Sequence, residues 1–421
     1  MLNLKNMETK SKVLMKNTVM LYILQFSTYL FSFLTVPYQS RVLGPEIYGI
    51  LGVAVAVMTY FQLFMDFGFL ISATGDISLN RDDKEYICRK ITSIAVLKVL
   101  FTAISFAVMA VLCLTVPKFS EHKLLYFIYL AAYAINSFMP DYIYRGLEKM
   151  TAVTIRTVII KFFFCIMIFV FMHSSDDYLV VPLLLLIGNA GAVIAAYLHL
   201  FKSLHFHFGK ITVKQVVSDL RRSSFFFYSR IATTVYSATN TVLLGFIDKT
   251  GLTIGYYASA DKILTTAKNG FSPISDSLYP YMVKHRDFKP AKKMLKLLMP
   301  IIIGGCVIVG IFAKPICVFV FGAEYADTAN ILRAFLPAIA VMLPSYIFGF
   351  PVMGALGISK FTNISILVGT AIHLVGLSVL LLTGNFSAVT LAGMTSLSEL
   401  SIFLYRFIVV CKKRKLLKEE A

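Results

Sequence analysis

Apolar runs of about 20 residues recur along the whole chain, separated by charged residues or by proline and glycine. A helix of about that length crosses the hydrocarbon core of a bilayer. The pattern therefore predicts twelve membrane-spanning helices, which we number as spans 1 to 12. Their approximate ranges are 16–36, 47–70, 91–116, 124–140, 155–173, 179–201, 223–247, 255–282, 297–321, 330–350, 362–382 and 389–410.

Span 8 combines an apolar face, which includes Leu264 and Phe271, with a polar face. At 100° per residue, its polar side chains fall within about 120° of arc. A charged side chain at mid-bilayer costs at least about 2.5–3.5 kcal/mol, so such groups usually face a bundle interior or a water-filled cavity. The polar face therefore predicts a cavity, and it consists of Asp261, Lys262, Thr265, Lys268, Asn269, Ser272 and Asp276.

Three further spans carry polar residues on one face, which supports a cavity shared by several helices. The polar residues of span 1 are Gln25, Thr28 and Ser32, those of span 2 are Thr59, Gln62 and Asp66, and those of span 7 are Arg230, Thr234, Ser237 and Thr241.

Two segments, 140–151 and 351–362, share a proline, a glycine, a lysine and a threonine at an offset of 211 residues. Each follows an even-numbered span, so both lie on the same side of the membrane, which favours a parallel duplication of six helices. The predicted organisation is an N-terminal lobe over 1–202, a cytoplasmic linker over 203–222 and a C-terminal lobe over 223–421 with a short basic tail.

The composition agrees with a membrane protein, because 58% of the residues are hydrophobic, 15% are charged and the mean hydropathy is +0.77. With the N-terminus inside, 28 Lys and Arg residues fall in cytoplasmic segments and 4 in external loops. This asymmetry predicts that both termini are cytoplasmic. The fold class is thus an all-α integral membrane protein, with about twelve helices in two parallel six-helix lobes around a central cavity.

The net charge of +18 is explained by a basic cytoplasmic rim that faces anionic lipid, and we expect no nucleic-acid partner. The external loops are short, which excludes an external catalytic domain. The six cysteines are scattered without a CxxC pair, and the seven histidines lie mainly in loops and at span ends. Neither a disulfide framework nor a metal site is indicated.

Arg230, Lys262 and Lys268 are the strongest candidates for binding an anionic group. Lys268 lies too deep for its ammonium to reach the outer surface easily, although it could instead pair with Asp261 or with an acid on another helix. Arg230 lies near the cytoplasmic end of its span, where its side chain could extend to water. For three single cations, Lys98, Lys161 and Lys314, we favour a solvated position at the rim.

Asp66, Asp261 and Asp276 could carry a coupling proton or sodium ion, since burial can move the pKa of a membrane carboxylate towards neutrality. Each could equally be a permanent counter-ion of a nearby lysine. We favour the counter-ion role for Asp261, and both roles remain open for Asp66.

Five motifs point to one family. They are VPYQSRVLGPEIYG at 36–49; DFGF at 66–69 with SAT at 72–74; NRDDK at 80–84; PDY at 140–142 leading into RGLEKM at 145–150; and SPIS at 272–275 leading into LYP at 278–280. In this order they resemble the Wzx-type flippases of polysaccharide repeat units, the O-antigen and capsule exporters, over nearly the whole chain. Gly75 and Tyr142 depart from the family, which often has Arg and Trp there.

The resemblance implies membership of the superfamily of multidrug and toxin extruders, with two lobes that rock around a cationic cavity. It implies a substrate made of an oligosaccharide linked through pyrophosphate to undecaprenol, in the bacterial cytoplasmic membrane. Further implied partners are membrane lipid, a polysaccharide polymerase and a chain-length regulator. No cofactor is expected beyond coupling to a proton or sodium gradient. Position by position, the resemblance assigns motif residues to Arg41, Asp66, Asp141, Gly146 and Lys149.

Two other functions remain as alternatives. An ion-coupled exporter of drugs or small molecules would share the topology, but it should have an acidic, aromatic cavity for cationic drugs. A polysaccharide polymerase or a lipid-linked glycosyltransferase would be an enzyme with a long external loop. The excess of basic over acidic residues in spans 7 and 8 and the short external loops favour a transporter of an anionic substrate. Its candidate contacts are Arg41, Arg230, Lys262, Lys268 and Asn269.

Overall fold

The structure is a computed structural model that describes residues 2–248 and 250–419. Within these ranges it describes all side chains except those of 2–18, 21, 22, 229, 232, 233, 235–237, 276, 280, 284, 285 and 414–419. The described part of the chain consists of helices joined by short connections.

Fifteen α-helices occur in the described residues. They are α1 (Leu2–Asp66), α2 (Phe69–Leu79), α3 (Lys84–Thr115), α4 (Pro117–Glu121), α5 (Lys123–Ser137), α6 (Asp141–Gly146), α7 (Met150–Phe171), α8 (Val180–Leu198), α9 (Val213–Ile247), α10 (Leu252–His285), α11 (Lys289–Ile311), α12 (Ala313–Phe321), α13 (Thr328–Ile347), α14 (Lys360–Leu382) and α15 (Ala388–Glu419). Short 3₁₀ segments, Ser175–Leu179 and Ala323–Tyr325, and π-helical segments, His199–Ser203 and Phe348–Met353, complete the set.

The predicted all-α integral membrane protein is confirmed, and the chain crosses the membrane several times. Eight helical segments among the described residues are long and apolar enough to span a bilayer, and one of them, Ile23–Leu79, has 57 residues and covers two predicted spans. α5 has only 15 residues, while α9 and α10 carry many polar side chains. The number of twelve spans and the cytoplasmic termini stay predictions.

The helices group into two compact units. The first unit comprises Met1–Leu43 and Ala54–Thr234, and the second unit comprises Gly44–Val53 and Val235–Ala421. These units divide inside α9, whereas the predicted linker covered 203–222. Because α9 begins at Val213, the second half of that linker is helical. The lobes inferred from the duplication stay a prediction.

The glycines of the motif at 36–49 bend α1 and bring it close to α10. Gly44 has a φ of 70° and a ψ of 167°, which interrupts the helix in a conformation that side chains with a Cβ rarely adopt. In the second unit, a Cβ on Gly49 would collide with the carbonyl oxygen of Gly251, and one on Gly255 would collide with that of Pro45. Glycine at 49 and 255 therefore permits this close helix crossing.

We expect Gly255→Ala to destabilise the protein by at least about 1–3 kcal/mol, because the added methyl group forces two backbones apart. The measurement is thermal unfolding of the purified protein in detergent. Gly270→Ala on the same helix is the matched control, since its Cβ would meet nothing within 4 Å. The control should be neutral or stabilising by up to about 1 kcal/mol. Equal unfolding temperatures for wild type and Gly255→Ala would contradict the role of this crossing.

The DFGF motif makes a second break, where a single span 2 was predicted. Phe67 and Gly68 have φ values of 40° and 78°, so α1 ends at Asp66 and α2 begins after the turn. The turn packs on α9 within the first unit: the ring of Phe67 stacks on Phe227 at 4.4 Å. Ser72 of the SAT motif hydrogen-bonds Ser223 at 2.7 Å. The motif therefore fixes the position of α2 against α9.

Candidate functional site

The first unit contains a polar cavity of about 560 Å³, here called the cationic cavity. Residues of α1 to α3, of α5 to α9 and of their connections line it. Its charged lining residues are Asp66, Lys98, Asp141, Arg156, Lys161 and Arg230, four cations and two acids. The excess of positive charge makes the cavity suited to an anionic group.

Lys98 lies inside the protein rather than at its rim. The residue is only 5% exposed, and its ammonium donates a hydrogen bond to the carbonyl oxygen of Ser137. It also lies 5.8 Å from the ring centre of Tyr142, which follows the aspartate of the PDY motif. The predicted solvated position of Lys98 is therefore wrong, because α5 and α6 cover it.

Arg156 and Lys161 project from α7 into the same cavity. The guanidinium of Arg156 pairs with the carboxylate of Asp141, at the start of α6, and lies 5.8 Å from the ring centre of Tyr144. Lys161 donates a hydrogen bond of 2.5 Å to the hydroxyl of Thr28 in α1, so it too faces the cavity and not a solvated rim. The sequence analysis did not single out Arg156 as a cavity residue.

Five residues from the predicted polar faces line the cationic cavity: Thr28, Ser32, Gln62, Asp66 and Arg230. They come from α1 and α9, as the polar faces of spans 1, 2 and 7 indicated. Four other predicted residues of the first unit are outside its lining, namely Gln25, Arg41, Thr59 and Thr234. Gln25 hydrogen-bonds Tyr29, and Arg41 is exposed. The functional roles assigned to all these residues stay predictions.

The polar face of α10 belongs to the second unit. Lys268 pairs with Glu399 of α15 at 2.8 Å, and the side chains are 24% and 8% exposed. Lys268 therefore pairs with an acid on another helix, which is one of the alternatives that the sequence analysis left open. Asp261 accepts a 3.4 Å hydrogen bond from Thr265, while Lys262 is exposed.

Asn269 and Ser272 are partly buried on the same helix. The side chains of Ser237 and Asp276, both among the predicted site residues, lie outside the described residues. Their proposed roles in cavity lining and ion coupling remain predictions.

A buried polar network crosses the second unit near Lys268. The ring of His373, fully buried in α14, hydrogen-bonds Asn240 at 2.9 Å and Ser398 at 3.1 Å. Asn240 also donates to Tyr257 at 2.9 Å and to Thr395 at 3.0 Å. Sequence reasoning overlooked this network, although a histidine in the middle of span 11 is a signal for one.

An ion cluster in the first unit joins α2, α3 and α9. Lys90 pairs with Asp76 at 2.8 Å and with Asp219, and the three side chains are between 3% and 8% exposed. Arg222 approaches Asp76 at 2.6 Å from the surface. We call these four residues the α3 ion cluster. All four residues lie outside the predicted spans, and their burial could not be read from periodicity, which does not show which helix covers a span end.

Comparison with known proteins relates this arrangement to other chains. The family model described as "Polysaccharide biosynthesis protein" matches residues 14–286. A protein of Escherichia coli K12, provisionally described as an O-antigen transporter, is 27% identical over 279 residues, which are 65% of this chain and 66% of that protein. A protein of Shigella dysenteriae with the same description is 25% identical over 367 residues, 85% of this chain and 91% of that one.

Two solved structures share the fold at low sequence identity. The lipid II flippase MurJ in an inward closed conformation has a TM-score of 0.71 at 15% identity, over 94% of this chain and 87% of MurJ. An inward-facing multidrug resistance transporter of the MATE family, in the MOP superfamily, has a TM-score of 0.66 at 13% identity, over 95% of this chain and 99% of that one. At these identities the likeness concerns the fold alone.

Proposed function

Because this chain belongs to the polysaccharide biosynthesis protein family, we propose that it is a flippase for undecaprenyl-pyrophosphate-linked oligosaccharide repeat units. It moves them from the inner to the outer leaflet of the bacterial cytoplasmic membrane by alternating access, for O-antigen, capsule or exopolysaccharide synthesis. The resemblance drawn from the five motifs agrees with the family match. The chain is a transporter and not an enzyme.

The cationic cavity is the observation that carries this proposal. A pyrophosphate diester bears negative charge on both phosphoryl groups, and charged hydrogen bonds from Arg or Lys offset much of its lost hydration in a low-dielectric site. The cavity supplies four such cations against two acids. A cavity built for cationic drugs would need the opposite balance. The hydrocarbon tail can remain in lipid while the charged head group and the sugars pass through the protein.

Ion coupling and further partners are part of the proposal. Asp66 lines the cationic cavity with Lys98 and Arg230, where binding of a proton or sodium ion would change the net charge that the substrate meets. Asp261 is the second candidate, on α10. A polysaccharide polymerase and a chain-length regulator would act on the product in the outer leaflet.

Charge reversal in the cavity tests the proposal. We expect Lys161→Glu to slow flipping of a fluorescent undecaprenyl-pyrophosphate-linked sugar at least tenfold, since one lost charged hydrogen bond is worth about 1.5–3 kcal/mol and each 1.4 kcal/mol is about tenfold. The measurement uses protein in vesicles of phosphatidylethanolamine and phosphatidylglycerol and follows the label that becomes accessible on the far side.

Lys210→Glu, at an exposed position outside the helices, is the matched control and should flip at the wild-type rate. Wild-type protein that moves the cationic dye ethidium but not the labelled carrier would overturn the flippase proposal and favour the exporter alternative. Unchanged flipping by Lys161→Glu at equal protein levels would overturn the role of the cationic cavity.

A further inference from the structure

A second cavity of about 560 Å³ lies between α7 and α8 in the first unit, and we call it the α7–α8 groove. Its lining is apolar apart from Arg156. Ile155, Ile159 and Ile187 are 53%, 61% and 56% exposed along its walls, and both helices belong to candidate membrane spans. The groove therefore opens towards the hydrocarbon of the bilayer and can accept an apolar chain.

Arg156 belongs to both the α7–α8 groove and the cationic cavity, so the two spaces meet at its side chain. That side chain is only 10% exposed. One Nη atom pairs with Asp141, but the buried Nε lacks a hydrogen-bond partner among the described residues. An unpartnered buried N–H of a guanidinium is costly, and this one belongs to a residue that lines both the apolar and the cationic space. A phosphate where these two spaces meet would satisfy that N–H.

Gly191 keeps the groove open. A Cβ added to this residue would meet nothing within 4 Å, and its φ lies outside the left-handed region, so neither packing nor backbone conformation requires a glycine. Glycine inside a helix is about 1 kcal/mol less favourable than alanine. The missing side chain of Gly191 leaves free space in the α7–α8 groove, and a larger residue at this position would fill that space.

From these contacts we propose that the α7–α8 groove binds the polyprenyl chain of the lipid carrier, while Arg156 contacts its pyrophosphate. This inference rests on the proposed function and adds the place where the tail is held. A polyprenyl chain is attached directly to the phosphate, so apolar walls should begin immediately beside the cation, as Ile155 and Ile160 do beside Arg156. The acyl chains of a phospholipid are separated from the phosphate by glycerol and ester groups, which would need polar partners at that point.

The length and position of the groove fit the first part of such a chain. From Ala152 to Phe163 it follows α7 for about 16 Å, at 1.5 Å per residue. Arg156 lies about 9 Å from Met150, the start of α7, which the predicted orientation places on the cytoplasmic side. Substrate that enters from the inner leaflet would therefore meet Arg156 early, with its remaining tail in the bilayer.

Filling the groove tests the inference. In nanodiscs of phosphatidylethanolamine and phosphatidylglycerol, we expect Gly191→Leu to weaken binding of undecaprenyl pyrophosphate at least tenfold. Binding of inorganic pyrophosphate should stay within twofold of wild type. Gly304→Leu is the matched control, because Gly304 lies in the membrane helix α11 and also has nothing within 4 Å of its Cβ position. It should change neither affinity.

Unchanged affinity of Gly191→Leu for undecaprenyl pyrophosphate would overturn the inference and would indicate that the groove binds only bilayer lipid. Equal weakening for both probes would also overturn it, since the variant would then act on the anion site or on folding. Wild-type protein that neither binds nor flips the carrier would instead refute the proposed function itself. If Gly191→Leu fails to fold, Ala195→Phe on the same wall, one helical turn away, provides the same comparison.

Discussion

Replacing Lys90 by methionine should destabilise the protein by about 3–5 kcal/mol, the usual effect of removing one partner from a buried ion pair. Lys90 is the shared partner of Asp76 and Asp219, and all three side chains are buried. Methionine is one heavy atom shorter than lysine and leaves two carboxylates with one remaining cation, Arg222, which is 57% exposed. The measurement is thermal unfolding in detergent together with the yield of monodisperse protein.

Two further variants show whether charge balance is the cause. Lys84→Met, on the same helix but exposed, should change stability by no more than about 0.5 kcal/mol. Adding Asp219→Asn to Lys90→Met should recover much of the loss, because the remaining pair of Asp76 and Arg222 is neutral overall. Full stability of Lys90→Met alone would show that the α3 ion cluster does not hold α2, α3 and α9 together.

The fold was predictable because its main determinant is local in sequence. In the bilayer, an apolar segment must hydrogen-bond its own backbone polar groups, and a helix does so within one segment. Runs of apolar residues long enough to cross a bilayer therefore indicate the membrane helices directly. The interruptions of these helices were harder to predict from the sequence. Gly44 and Gly68 both lie inside motifs, but only the structure shows that one bends α1 and the other ends it before α2.

The candidate site was only partly predictable, because a polar face shows direction around a helix and not the helix that covers it. Asp66 and Arg230, which line the cationic cavity, lie on such faces. Lys98 and Arg156 were missed because each is a single charge near a span end, where a solvated position is the usual outcome. Their burial depends on α5 and α6, whose positions follow from packing between segments far apart in the sequence.

Lys268→Met is expected to destabilise the protein by about 3–5 kcal/mol, since it leaves the buried carboxylate of Glu399 without its ammonium partner. A loss of transport in this single variant would therefore not identify Lys268 as a substrate contact. The variant that separates a structural role of Lys268 from a role in substrate binding is Lys268→Met combined with Glu399→Gln, which removes both charges at nearly constant volume. Its unfolding temperature should return close to that of wild type.

The double variant should also flip the labelled carrier at half the wild-type rate or faster. The charge of Lys268 is matched by Glu399 at 2.8 Å, so the pair adds little net attraction for an anion, whereas the cationic cavity has an excess of positive groups. Flipping is measured in the vesicles used for Lys161→Glu, at equal protein levels. A stable double variant that flips at least tenfold more slowly would restore Lys268 as a substrate contact and extend the binding site to α10.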